Sequence, residues 1–265
     1  MKLLQVAAIT LVTTTLFAGG QMVLAEQVTE TTTDGFIQFE PNEEEELIVT
    51  PPIDEPDVEI KPEVPGTTGP LSIVKVPTMN FGKQVISNQD KYYEMIAEKQ
   101  SLRNPDDNGP KEVPYVSFAQ VQDLRGTNDG WNLKVRLTDF TSDTHNGILT
   151  GAHIILVESN VIYEGQNSLN KPDKHENELE LKPGTGAVSV MKADVNKGAG
   201  TSSIVWGKQD ELTTKFVKNQ ENEIEEDVVT NSAIQLYVPG KSEKDATMYK
   251  STLTWELAAT PEDDI

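Results

Sequence analysis

Two stretches of strict alternation stand out along the chain. In the first, Trp131, Leu133, Val135 and Leu137 fall on one side and Asn132, Lys134, Arg136 and Thr138 on the other; in the second, Leu253, Trp255 and Leu257 oppose Thr252, Thr254 and Glu256. Successive side chains of a strand point to opposite faces, so a period of two predicts extended strands with one apolar face. Each stretch carries a Trp-x-Leu tripeptide, Trp131-Asn132-Leu133 and Trp255-Glu256-Leu257. Two copies of one local pattern predict two strands serving one surface or one core.

Further short apolar or alternating runs predict strands at Ser72 to Val76, Tyr115 to Val121, Ala152 to Val157, Ala187 to Met191, Ser203 to Trp206 and Ile234 to Tyr237. Gly, Asn, Asp and Pro separate them. Asn128-Asp129-Gly130 is turn chemistry leading into the first tryptophan strand, and Lys197-Gly198-Ala199-Gly200 marks another loop. Helical periodicity is scarce. The texture from Leu71 to Ile265 is that of an all-β fold, expected as a single β-sandwich or barrel-like domain, since such folds often run undivided at this length.

Upstream the composition is different. Residues 1–25 read as a secretory signal peptide: Lys2, an apolar run from Leu3 through Ala18, then Val23-Leu24-Ala25 as a small-residue cleavage site. The threonines at 13 to 15 and Gly19-Gly20-Gln21 shorten the apolar run below the length needed to span a bilayer, so no direct membrane insertion is expected. Residues 26–70 hold thirteen acidic residues against one lysine, together with seven prolines. Such a segment buries too little apolar surface to offset its chain entropy, and a disordered acidic spacer is expected there.

The whole chain has 22 basic and 43 acidic residues, a net charge of −21, and no cysteine. The negative charge argues against nucleic acid, anionic lipid or teichoic-acid phosphate as partners held by bulk attraction. An exported chain without disulfides must be held by burial alone. No cysteine follows the signal to carry a lipid. Leu181-Lys182-Pro183-Gly184-Thr185-Gly186 looks like a sortase motif, yet it is internal and has no apolar tail after it. Attachment to a cell is therefore expected to be non-covalent.

Recognisable catalytic sets are missing. There is no nucleophile elbow, zinc-protease helix or phosphate loop, and His145, His153 and His175 lack ligand spacing and are expected in solvated or turn positions. No enzyme activity, cofactor or metal is expected. One loop, Asn104-Pro105-Asp106-Asp107-Asn108-Gly109, starts like a calcium-binding EF-hand loop, but Tyr115 stands where the twelfth-position glutamate would complete the shell. An ordinary turn is expected.

Several landmarks occur in one order: Gly69-Pro70-Leu71-Ser72-Ile73, Val76-Pro77, Asn80-Phe81-Gly82, then Val121-Gln122-Asp123-Leu124-Arg125-Gly126 leading to Gly130-Trp131-Asn132-Leu133, and finally Tyr249 through Leu257 with Pro261 behind. Over residues 69–265 this resembles the WxL domain family of Gram-positive surface proteins. Met79, where an aromatic is common, and Val74-Lys75, in place of an acidic-aromatic step, depart from it. The resemblance implies a WxL cell-wall-binding domain over 71–265, exported to the cell surface and partly secreted, with peptidoglycan as ligand. It also implies multi-protein surface complexes that include a membrane-anchored partner protein and other WxL proteins. An adhesin for host matrix or plant polysaccharide, with wall contact secondary, is the alternative.

Two roles are open to the tryptophans. Their apolar same-face neighbours suit core positions. The resemblance suits a binding rim at which a sugar ring stacks on an indole and outward residues supply hydrogen bonds. On the second reading the wall-binding residues are Trp131, Asn132, Leu133, Trp255, Glu256 and Leu257. A mixed case, with the two motifs paired as adjacent strands near an open end, joins the two.

Overall fold

The computed structural model describes residues 36–38, 49–222 and 228–261. The chain divides into Met1–Gln38 and a main unit, Phe39–Ile265. The expected signal peptide lies outside the described residues. The main unit contains β1 (Val58–Glu59), β2 (Leu71–Lys75), β3 (Lys91–Ile96), β4 (Glu98–Leu102), β5 (Glu112–Tyr115), β6 (Ser117–Asp123), β7 (Trp131–Leu137) and β8 (His153–Leu156). It continues with β9 (Ser159–Tyr163), β10 (Asp173–Lys174), β11 (Leu179–Leu181), β12 (Val188–Ala193), β13 (Gly200–Trp206), one α-helix α1 (Gln209–Glu221), β14 (Thr230–Val238) and β15 (Leu253–Ala258).

The all-β expectation holds, but the strands form four separate antiparallel sheets rather than two facing layers. Their orders are β1-β4-β5, β10-β12-β7-β15, β11-β8-β14-β3 and β2-β6-β13-β9. Two apolar clusters explain the arrangement. The three four-stranded sheets share the main core through residues such as Ile73, Val121, Leu133, Ile154, Trp206 and Ile234. The sheet built on β6 and β13 is buried on its other face too, where Phe118 and Val205 meet Val58 and Tyr115 and the Leu212 and Phe216 side chains of α1. Every position from Tyr115 to Val121 is buried, polar Ser117 and Gln120 included, so this stretch reads as one strand although β5 ends at Tyr115 and β6 begins at Ser117.

Helix α1 buries only Leu212 and Phe216, one turn apart, so its amphipathic stripe is minimal. Asp210 and Glu211 in the first turn and Lys218 in the last complement the helix dipole.

The stretch expected as a spacer is not free throughout. Residues 49–60 are pinned to the domain: β1 pairs with β4, and Val58 and Ile60 are buried. The Tyr115 hydroxyl donates to the Ile53 carbonyl at 2.9 Å, and burial pushes its pKa up to about 12. Gln120 Nε2 donates to the Thr50 carbonyl at 2.8 Å. Four apolar residues, Val49, Ile53, Val58 and Ile60, pack against the smaller core cluster and fold the segment down among its acids and prolines. Among the described residues no helix is long and apolar enough to cross a membrane.

Candidate functional site

The two Trp-x-Leu motifs lie side by side. β7 and β15 are antiparallel neighbours with Leu133 opposite Leu257, Val135 opposite Trp255 and Leu137 opposite Leu253. In this register the motifs are related by a local two-fold about the Leu133–Leu257 pair, so Trp131 and Trp255 flank that pair from opposite directions. β7 is internal to its sheet, between β12 and β15, and β15 is the edge.

That difference in position separates the two tryptophans. Trp131 is 0% exposed, and its Nε1–H donates to the Gly198 carbonyl at 3.0 Å. Leu133 and Asn132 are also 0% exposed, with Asn132 Oδ1 accepting from Ser189 Oγ at 2.6 Å. These three, expected as possible contact residues, have no surface to offer and are corrected to core positions. The polar face of β7 is covered as well, Lys134 being buried with only Arg136 open to solvent. On β15 the situation is reversed: Trp255 and Leu257 are half-buried and Glu256 is exposed, paired with Arg136 at 3.1 Å. The accessible part of the motif pair is thus Trp255-Glu256-Leu257.

Beside Trp255 runs a cleft of about 370 Å³ lined by Val64 to Thr67, Ile73, Val76, Pro77, Thr78 and Leu253 to Trp255. None of these residues is charged, on a chain whose net charge is −21. One wall comes from the segment before β2, held by Thr67 N–H donating to the Ile73 carbonyl at 2.9 Å and Ile73 N–H donating to Thr67 Oγ1 at 2.8 Å. Gly66 allows this approach, since a Cβ there would come within 2.3 Å of the Ile73 carbonyl oxygen. The cleft therefore combines residues from within the expected spacer with the second motif, a combination that strand periodicity could not reveal.

Two sets of contacts hold the motif pair in place. Arg125 reaches three elements: it pairs with the buried Asp123 at 2.8 Å, donates to the Gly130 carbonyl just before β7 at 2.7 Å, and donates to the Ala259 carbonyl just after β15 at 2.8 Å. Behind Trp255 lies Trp206, fully buried, with ring centroids 6.4 Å apart. Trp206 Nε1–H donates to His175 Nε2 at 3.0 Å. Since Nε2 accepts, the proton is on Nδ1, which faces the Glu176 carbonyl. Burial holds His175 below the usual imidazole range, with the Glu176 carbonyl working the other way. His175 is thus a core residue, not the solvated one expected, and the sequence offered no sign of its pairing with Trp206.

The other candidate chemistry stays apart from the cleft. His145 is exposed, and His153 sits 3.6 Å from Glu180. Asn104 to Gly109 forms a turn between β4 and β5, closed by Gly109 N–H on the Asp106 carbonyl at 3.1 Å, while Tyr115 is buried in the smaller core cluster. Among the described residues no group of three or more His, Asp or Glu is placed to hold a metal ion.

The paired tryptophan motifs leave one indole, Trp255, at a sheet edge beside an uncharged cleft. Residues 26–261 match the family described as WxL domain, surface cell wall-binding. The chain belongs to the WxL domain family, and it is a cell-surface domain of the wall-binding class. Comparison with curated proteins and with solved structures gave no match.

Proposed function

We propose that this protein, exported by a Gram-positive bacterium, attaches non-covalently to peptidoglycan through the cleft beside Trp255, performs no catalysis, and takes part in a multi-protein surface complex. The observation that carries the reading is the asymmetry of the motif pair: one tryptophan is spent on the core, and the other borders an open, uncharged groove. An indole at such an edge provides a flat apolar platform for the face of a sugar ring, while Thr67 and Thr78 supply hydroxyls for its polar rim. The uncharged lining also suits a ligand that a net-negative protein must hold without ionic attraction. A membrane-anchored partner protein and other WxL proteins are the companions this family membership suggests.

Sedimentation of the purified protein with peptidoglycan, run beside matrix proteins and plant polysaccharide, tests the reading. Co-sedimentation with peptidoglycan, without clearing of the wall suspension, is the expected result. Binding to matrix or plant polysaccharide but not to peptidoglycan would replace the proposal with an adhesin, and clearing of the suspension would replace it with a hydrolase.

A further inference from the structure

Among the described residues Lys75 is the most deeply buried lysine. It closes β2 at a register shift, and its side chain is 2% exposed. Its Nζ lies 3.2 Å from both carboxyl oxygens of Glu98 at the start of β4, 3.5 Å from the Phe118 carbonyl oxygen and 4.4 Å from the centre of the Phe118 ring. Glu98 is 13% exposed and its carboxyl also accepts the backbone N–H of Thr78. A buried ion pair is a costly way to join two strands, because desolvation of both charges offsets most of their attraction.

We infer that Lys75 and Glu98 are the two halves of an intramolecular amide, Nζ to Cδ, that covalently ties the central sheet to the small β1-β4-β5 sheet.

The surroundings supply what the condensation needs. Desolvation lowers the Lys75 pKa and raises that of Glu98, so both groups are driven toward their neutral forms; the Glu63 carboxylate favours the neutral acid of Glu98 and works against the neutral amine of Lys75. Transfer of one proton from Nζ to Glu98 gives an amine and a carboxylic acid. Rotation about the terminal torsion of Glu98, which is broad and two-fold, presents Cδ to the Nζ lone pair. The Nζ–Cδ bond forms, the Thr78 N–H stabilises the oxygen that gains charge, and the Cδ–OH bond breaks. The hydroxyl leaves with one amine proton as water. No oxidant or cofactor enters. Fixed proximity in a dry site is the main source of acceleration for such a step. In a chain with no cysteine, the bond would close the segment between residues 75 and 98 as a disulfide would.

The test is tandem mass spectrometry of a tryptic digest of the full purified chain, incubated folded before denaturation. The expected result is a branched peptide joining the segments that contain Lys75 and Glu98, uncut at Lys75 and lighter than their sum by one water. It should be absent from Lys75→Arg and Glu98→Ala. Complete cleavage at Lys75 in the wild type, with both segments at full mass, would overturn the inference without bearing on wall attachment. A loss of water that persists in Lys75→Arg would equally overturn it by placing the change elsewhere.

Discussion

Replacement of Trp131 is the sharpest probe of how the motif pair is built. The side chain is fully buried, so truncation to alanine removes its packing and leaves a cavity, at a cost of about 3 to 5 kcal/mol. The Gly198 carbonyl then also loses its donor inside the protein, a further cost of about 1 to 3 kcal/mol. Against a total stability of about 5 to 15 kcal/mol, this is enough to unfold a large fraction of the molecules. Trp131→Phe gives a graded version, keeping most of the apolar volume and losing mainly the hydrogen bond, with an expected loss of about 1 to 3 kcal/mol. Urea unfolding followed by the fluorescence of Trp206 and Trp255 would measure both. With a slope of about 1 to 3 kcal/mol per molar urea, the Phe variant's midpoint should drop by roughly 1 M, with the slope unchanged. A Trp131→Ala protein with the wild-type midpoint and no affinity for wall would refute the assignment of Trp131 to the core.

Other outcomes follow from the same contacts. A chain beginning at Leu71 should be less stable than one beginning at Val49 by about 3 to 6 kcal/mol, from loss of buried Val58 and Ile60; equal thermal melting of the two would show that the 49–60 segment does not hold the domain together. His175 has a folded pKa below its ordinary value of 6.5, so the unfolded chain takes up its proton first, and the stability present above about pH 6.5 is lost as pH falls below it. Melting temperature should therefore fall between pH 7 and 5 more steeply in the wild type than in His175→Gln, and parallel curves would remove His175 as the cause. Peptidoglycan binding should survive raised salt, since the cleft lining carries no charge and screening shortens like-charge repulsion to about 8 Å or less; release by moderate salt would point instead to ionic contacts around Arg136.

The one-sided alternation at 131–138 and 252–257 reported β7 and β15 almost to the residue, because each has a single apolar face continuous with the core. The pairing of the two strands, one of the readings open from the sequence, is what the structure has, but alternation alone could not single it out, since register depends on contacts about 120 residues apart in sequence. β3 was invisible for a different reason. Its sequence Lys-Tyr-Tyr-Glu-Met-Ile belongs to an edge strand with only Met95 buried, so no clean period of two survives. The polar side of β7 misled in the opposite direction: alternation distinguishes two faces but does not say whether the second is also covered, and Asn132 and Lys134 are. The cleft is not legible in the sequence because one wall of it comes from Val64 to Thr67, where composition announces only a spacer.

The most direct test of the account is sedimentation with purified peptidoglycan of Trp255→Ala, measured together with its melting curve. Trp255 is half-buried at a sheet edge, so its loss should lower the melting temperature less than the loss of Trp131 does while removing most of the binding, as expected when a partly exposed aromatic anchors a complex. A folded Trp255→Ala protein that sediments like the wild type would contradict the account and move the wall-binding surface away from the second motif.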